Sequence, residues 1–313
     1  MKLFILLLTI SITAVSDVSD HLKKVHNKSS LYSMPNIDFI YMINLDQRPE
    51  KIRRSFSQLY PYGIYPCRFS AVNGWELSLD TINDVGLLFA PFMERGIMGT
   101  RYLLGGNFEP HHESITNYGE TYFSHCMARG AIGIALSHIS ILQDAYDSGY
   151  ETIWVMEDDI DVIADPNSLS TLIEDLDTTV GKGNWDVLFT DRDIKDASGN
   201  YYTTYYAGKR PDYLVFTNDN NYSEKTPVGD KFIKVGARSG AHSMILRRSG
   251  IEKLLRYFHA HQIFFPYDME YILPRGIRLY TVANDVVSNL PKAPSDNGGP
   301  YYLEKRTQSI TPP

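Results

Sequence analysis

Residues 152–156, Thr-Ile-Trp-Val-Met, form an uncharged run that breaks at once into Glu157, Asp158, Asp159 and Asp161. A run with no charge on either face predicts a strand buried on both sides, as in a parallel sheet covered by helices. The same pattern predicts core strands over 36–45, 66–72, 184–191 and 277–282, and a strand, a Gly-rich bend and a second strand over 232–247. Helical spacing instead links Ile52, Phe56 and Leu59, with Pro49 in the first turn and Asp46 placed to cap it. A stronger helix covers 130–146, with apolar positions at 132, 135, 136, 139 and 142. Its small residues at 130, 131, 133 and 135 would let the first turns approach another backbone or a ligand. Shorter helices are expected near 168–176 and from Ser249. Strand, helix and strand within 36–72 is βαβ logic, so the expected fold is α/β, with a mostly parallel central sheet and helices on both faces. Residues 86–125 lack a clear period and read as an irregular insertion. The Tyr-rich stretch 200–216 reads as a hairpin or extended arms.

The 313 residues are 43% hydrophobic and 21% charged, a globular balance with ample chain for one large core. A single domain is expected over 36–300. The formal net charge of -7 argues against a broad nucleic-acid-binding surface. Residues 1–16 carry one lysine, a short apolar run and then small residues, the pattern of a secretory signal peptide, with an uncleaved signal anchor as the second reading. Cleavage would imply a secretory lumen or periplasm, and an anchor would imply membrane association through the N-terminus. Residues 17–35 read as a polar tether and 301–313 as a C-terminal tail. Cys67 and Cys126 leave one disulfide and two free thiols as equal readings. His111 and His112 could hold a metal, although loop histidines usually do not.

The chemistry centres on the acids after residue 156. Glu157, Asp159 and Asp161 alternate, so an extended backbone would point them the same way. Converging carboxylates repel unless a cation lies between them, and Mg²⁺ or Mn²⁺ takes such oxygen ligands together with substrate phosphates. A solvated acidic turn stands as the equal alternative on these residues alone. Asn44, Asp46 and Arg48 at the first strand end, with Ala71, Asn73 and Gly74 at the second, make a candidate nucleotide edge. Asp268 and Glu270 follow an apolar run that could bury one of them. Asp191 and Asp193 close another strand. His138 reads first as a hydrogen-bonded helix histidine.

Three blocks in order bear a resemblance to a known family. Phe39-Ile-Tyr-Met-Ile-Asn-Leu-Asp-Gln-Arg-Pro-Glu-Lys resembles the opening strand of glycosyltransferase family 25, which includes lipooligosaccharide and procollagen galactosyltransferases. Gly130-Ala-Ile-Gly-Ile-Ala-Leu-Ser-His resembles its G-x-x-G-x-x-x-S-H helix, and Trp154-Val-Met-Glu-Asp-Asp-Ile its E-D-D metal motif. Pro266-Tyr-Asp and Ser295-Asp296 are similar, more loosely, to later blocks. The chain departs from the family at Ala131, where an acid is common. The resemblance implies a GT-A-like nucleotide-binding sandwich and inverting transfer of a sugar, commonly galactose, from a UDP-sugar. The acceptor would be a hydroxyl of a glycan, a lipid-linked oligosaccharide or a hydroxylysine-type protein site. It also implies Mn²⁺ or Mg²⁺ on Asp159 and Glu157, with Asp158, Ser137 and His138 on the nucleotide side. Asp268, then Glu270, would be the catalytic base, and Asp191 and Asp193 would contact the donor sugar. Two other classes stay open: a carboxylate-pair glycoside hydrolase, which needs no nucleotide, and an inactive secreted carbohydrate- or Ca²⁺-binding relative.

Overall fold

The computed structural model describes residues 18–103, 109–196, 198–201, 208–213, 219–293 and 295–297. The expected leader 1–16, the tail 301–313 and most of the Tyr-rich stretch lie outside the described residues. Strand β1 (Phe39–Asn44) leads through helix α1 (Pro49–Leu59) to β2 (Cys67–Ser70). Next come α2 (Leu79–Val85), β3 (Leu87–Leu88), β4 (Met98–Arg101), β5 (His111–Ser114), β6 (Thr121–Ser124) and the long α3 (Arg129–Asp147). After α3 lie β7 (Thr152–Glu157), β8 (Ile160–Val162), α4 (Ser168–Val180), β9 (Val187–Phe189), α5 (Asp219–Ser223), β10 (Lys225–Val228) and β11 (Phe232–Val235). The described chain continues with β12 (Ser243–Arg247), α6 (Arg248–His261), α7 (Tyr267–Glu270), β13 (Leu279–Val282) and β14 (Val287–Asn289).

Eight strands form the main sheet in the order β10-β11-β13-β9-β12-β7-β1-β2. β1 pairs parallel with both β2 and β7, as βαβ connections require. Beyond β7 the sheet is mixed rather than mostly parallel, although β13 still pairs parallel with β9. There β12 runs antiparallel to both of its neighbours, and β10 and β11 form an antiparallel hairpin paired antiparallel to β13. Only the β10–β11 connection, from Val228 to Phe232, is a short hairpin that demands antiparallel pairing; the other antiparallel partners are joined by long excursions.

Strand alternation sorts the core onto two faces. Phe39, Tyr41 and Ile43 pack with Ile132, Leu136 and Ile139 of α3 on one side. Ile40 and Met42 pack with Ile52 and Leu59 of α1 and Ile173 of α4 on the other. Helices therefore cover both faces. Asp46 does not cap α1: the N-cap is Arg48, without a side-chain cap bond, and Asp46 is bonded to Arg68 and Ser70. The described residues of 86–125 are not irregular as their sequence suggested but hold a small four-stranded sheet in the order β3-β6-β4-β5. Its strands of two to four residues are too short to show a period of two. The segment read as a tether lies on the body from residue 18, where Val18 is buried and the Lys23 amide donates to Ser140 Oγ at 3.0 Å. Both thiols are free, Cys67 buried in β2 and Cys126 exposed. Among the described residues, no helix is long and apolar enough to cross a membrane.

Candidate active site

The carboxyl ends of β1, β2 and β7 stand side by side, so the polar residues that follow each of them gather at one edge of the sheet. They open onto a cleft of about 790 Å³, counting its mouth, whose walls include Asn44, Ala71, Asn73, Gly74, Ser137, His138, Glu157, Asp158 and Asp159. Nine of the residues expected at the site thus meet in one place. The turn between β7 and β8 explains why all three acids reach it. The backbone leaves the strand at Glu157, so Asp158 faces the cleft beside its neighbours rather than away. Asp161, by contrast, lies in β8 and pairs loosely with Arg54 at 3.8 Å.

Helix α3 comes close enough to form a wall because two glycines remove the obstacle. A methyl group on Gly133 would lie 2.4 Å from the Val72 carbonyl oxygen, and one on Gly74 would lie 1.8 Å from that of Arg129. Ser137 completes the seam: its Oγ donates to Gly133 O at 2.7 Å and accepts from the Val72 amide at 2.8 Å. Ser137 therefore holds the turn after β2 against α3.

The three acids have distinct surroundings. Asn44 Nδ2 donates to Asp158 Oδ2 at 2.6 Å, and Lys51 Nζ stands 3.8 Å from its other oxygen. Burial pushes the Asp158 carboxyl up to about 6, with the charges of Asp159 and Asp296 adding to the shift against Lys51 and Asn44. Burial also opposes charge on Glu157, but the hydrogen bond and charge of His138 outweigh it and hold this carboxyl below the ordinary range. Burial first, and then the charge of Glu157, raise Asp159. Asp159 Oδ1 is buried with no hydrogen-bond partner. No ready-made group of three metal-ligating side chains exists among the described residues. Glu157 and Asp159, with one buried oxygen unpartnered, nevertheless fit the donor set that Mg²⁺ or Mn²⁺ takes when substrate phosphates supply the remaining ligands.

Other expected residues fall elsewhere. Arg48 lies behind the cleft wall, 1% exposed, paired with Glu50 and Asp296. Asp46 does not line the cleft and is engaged with Arg68 and Ser70. Asp268 is partly exposed and accepts from the Gly240 amide at 3.1 Å. It follows Tyr267, whose ring stacks on His138 with centroids 4.1 Å apart. Burial raises the Asp268 carboxyl, and the charge of Glu157 reaches it and raises it further. Glu270 is not beside it: fully buried, it accepts from the Phe264 and Phe265 amides and pairs with Arg210. Asp191 is also fully buried, held by Arg238, His242 and Ser288, which leaves it no free face for a sugar. Asp193 pairs with Lys225 at 2.6 Å beside a separate hollow. His112 bonds to Thr100 and His111 to Glu113, each on the small sheet.

The cleft is also lined by residues the sequence did not assign to the site, among them Lys51, Trp75, Asp296 and Asn297. Lys51 Nζ binds Asp296 Oδ2 at 2.5 Å. Lys51 had a signal, a cation two residues after Pro49 at a strand-to-helix turn. Asp296 had only the loose S-D similarity, and Trp75 and Asn297 had none.

A model of glycosyltransferase family 25 (LPS biosynthesis protein) matches residues 37–270. The chain belongs to this family. Among curated relatives of this family 25 chain, a glycosyltransferase 25 family member of Aedes aegypti is 29% identical over 156 residues, half of this chain and 21% of the relative. Procollagen galactosyltransferase 1-B of Xenopus laevis is 26% identical over 171 residues, covering 54% of this chain and 23% of the relative. The human inactive glycosyltransferase 25 family member 3 is 24% identical over 156 residues, 50% of this chain and 22% of the relative. The chain thus spans a little over a fifth of the length of these relatives. All three acids of the E-D-D motif fall inside the matched region and on the cleft wall.

Proposed function

We propose that this family 25 chain transfers a hexose, galactose first among candidates, from a UDP-sugar to an acceptor hydroxyl with inversion and with a divalent cation. The observation that carries the reading is the buried, unpartnered Oδ1 of Asp159 beside Glu157 in the cleft. Asp159 and Glu157 would hold Mn²⁺ or Mg²⁺, with Asp158 assisting. When bound, the ion offsets the negative charge that builds on the leaving diphosphate, a contribution of several kcal/mol. Asn44 fixes Asp158, while the Ala71–Gly74 turn and the first turns of α3 give the nucleotide a wall fixed by backbone packing. Lys51, on the same wall and anchored by Asp296, adds a positive charge for phosphate.

Asp268 is the base in this reading. Its carboxyl, partly exposed, raised by burial and within electrostatic reach of Glu157, is a stronger base than an ordinary aspartate and suits removal of a proton from an acceptor hydroxyl. Glu270 is held for the fold by Arg210 and two amides. The acceptor is a glycan, lipid-linked or protein hydroxyl, and procollagen galactosyltransferase relatives support a protein-borne one. The experiment is a donor screen: the purified chain, Mn²⁺, a panel of UDP-hexoses and detection of released UDP. UDP release from UDP-galactose above the other donors supports the reading. Hydrolysis of glycosides without any nucleotide would favour the hydrolase instead, and Ca²⁺ binding without transfer an inactive relative.

A further inference from the structure

His138 leaves the third turn of α3 with 2% of its surface exposed, yet its Nε2 reaches the cleft wall, 3.1 Å from Glu157 Oε1. An ionised carboxylate only accepts, so Nε2 carries the proton in this contact. The imidazole lies on the Tyr267 ring at 4.1 Å and 9° between planes. Tyr267 is itself buried and stacked on Phe258 of α6, at 6.0 Å and 15°. The imidazole therefore cannot turn away from Glu157 without displacing α7 or α6. A histidine kept only for packing has no need to direct a donor at one oxygen of a cleft carboxylate. Glu157 meanwhile remains 29% exposed along its side chain and lines the cleft.

We infer that His138 is a positioning residue, which the Tyr267 stack holds in place so that it orients Glu157 for a cation. The inference rests on the cation-site reading of Glu157 and Asp159 proposed above. One carboxylate oxygen is held by the imidazole, which fixes the plane in which the other is offered to the cleft. Groups that orient metal ligands from behind in this way change metal affinity about 10–100-fold when removed. Because Tyr267 directly precedes Asp268, the same stack also fixes the start of the segment carrying the candidate base.

The test is calorimetric titration of Mn²⁺ into the full chain with UDP present, alongside UDP alone and a melting temperature for each variant. His138→Ala is expected to weaken Mn²⁺ binding about 10–100-fold. His138→Gln, whose amide can donate to the same oxygen, recovers most of the loss. His138→Asn, whose amide falls short, does not, and it serves as the comparison should the alanine variant fail to fold. Tyr267→Leu, which removes the stack, shifts Mn²⁺ affinity in the same direction as His138→Ala. Unchanged Mn²⁺ affinity in a folded His138→Ala or His138→Asn protein overturns the positioning role and leaves the cation site standing. Equal losses in His138→Gln and His138→Asn also overturn it, because the orienting hydrogen bond would then not be what matters. Absence of Mn²⁺ binding by the wild-type chain overturns the cation-site reading itself, and this inference with it.

Discussion

Lys51 Nζ lies 2.5 Å from Asp296 Oδ2, a contact that joins the first turn of α1 to the last described block of the chain across the cleft. Arg48, one turn back and almost wholly buried, pairs with the same carboxylate. Asp296 therefore neutralises one buried and one cleft-facing cation. Asp296→Ala leaves Arg48 with only the half-exposed Glu50, and loss of a buried partner costs about 3 kcal/mol. Urea unfolding should show that loss, and donor KM should rise because Lys51 loses its anchor. A variant within about 0.5 kcal/mol of wild type, the usual span of a surface change, would deny Asp296 this role.

Asp268 and Glu270 separate by what their loss removes. Asp268→Asn should fold normally and bind UDP, with kcat reduced about 100-fold or more, the usual scale of general-base catalysis. Glu270→Ala should instead cost about 3 kcal/mol in unfolding free energy by taking from buried Arg210 one of its two carboxylate partners, Asp212 remaining, and by leaving the Phe264 and Phe265 amides without their acceptor. Parallel measurements of kcat and urea midpoints check both. Near-normal transfer by Asp268→Asn would remove the base assignment.

Gly133→Ala tests the seam between α3 and the turn after β2. The added methyl meets backbone at 2.4 Å, so the helix must shift rather than a side chain. Overpacking of this kind costs about 1–3 kcal/mol, and the displaced wall should weaken UDP binding as well. Unaltered UDP affinity in a destabilised variant would place the nucleotide away from this wall.

The core strands of the main sheet and the acidic cluster were legible in the sequence because their signals are local. The uncharged 152–156 run and the acids after it lie within ten residues, and α3 shows its buried stripe and its small first turns directly. What was illegible depends on distant partners. Asp268 and Glu270 look alike in sequence, and Arg210, 60 positions from Glu270, together with the Phe264 and Phe265 amides commits the latter to the fold. Asp191 reads as a strand-end acid until Arg238, His242 and Ser288 close around it. The antiparallel half of the sheet was missed because β9, β11 and β12 carry the same apolar runs whichever way they point.

Asp191 predicts a pH dependence of stability. Burial opposes its charge, but Arg238 and His242, with their hydrogen bonds, outweigh that and hold the carboxyl well below the usual aspartate range. A folded-state pKa below the unfolded value means stability that is present above about pH 4 and lost as the pH falls further. Asp191→Asn should therefore be less stable than wild type at pH 7 and show a shallower fall in unfolding free energy below about pH 4. Urea unfolding across pH 2–7 measures this, and parallel curves for the two proteins would contradict it.

The most direct measurement is UDP release from UDP-galactose by the purified chain with Mn²⁺, after chelation with EDTA, and after Mn²⁺ is restored, for wild type and Asp159→Ala. The account predicts turnover that EDTA abolishes and Mn²⁺ restores in wild type, and turnover lowered by orders of magnitude in Asp159→Ala. Undiminished release in EDTA, or full activity in Asp159→Ala, would contradict it.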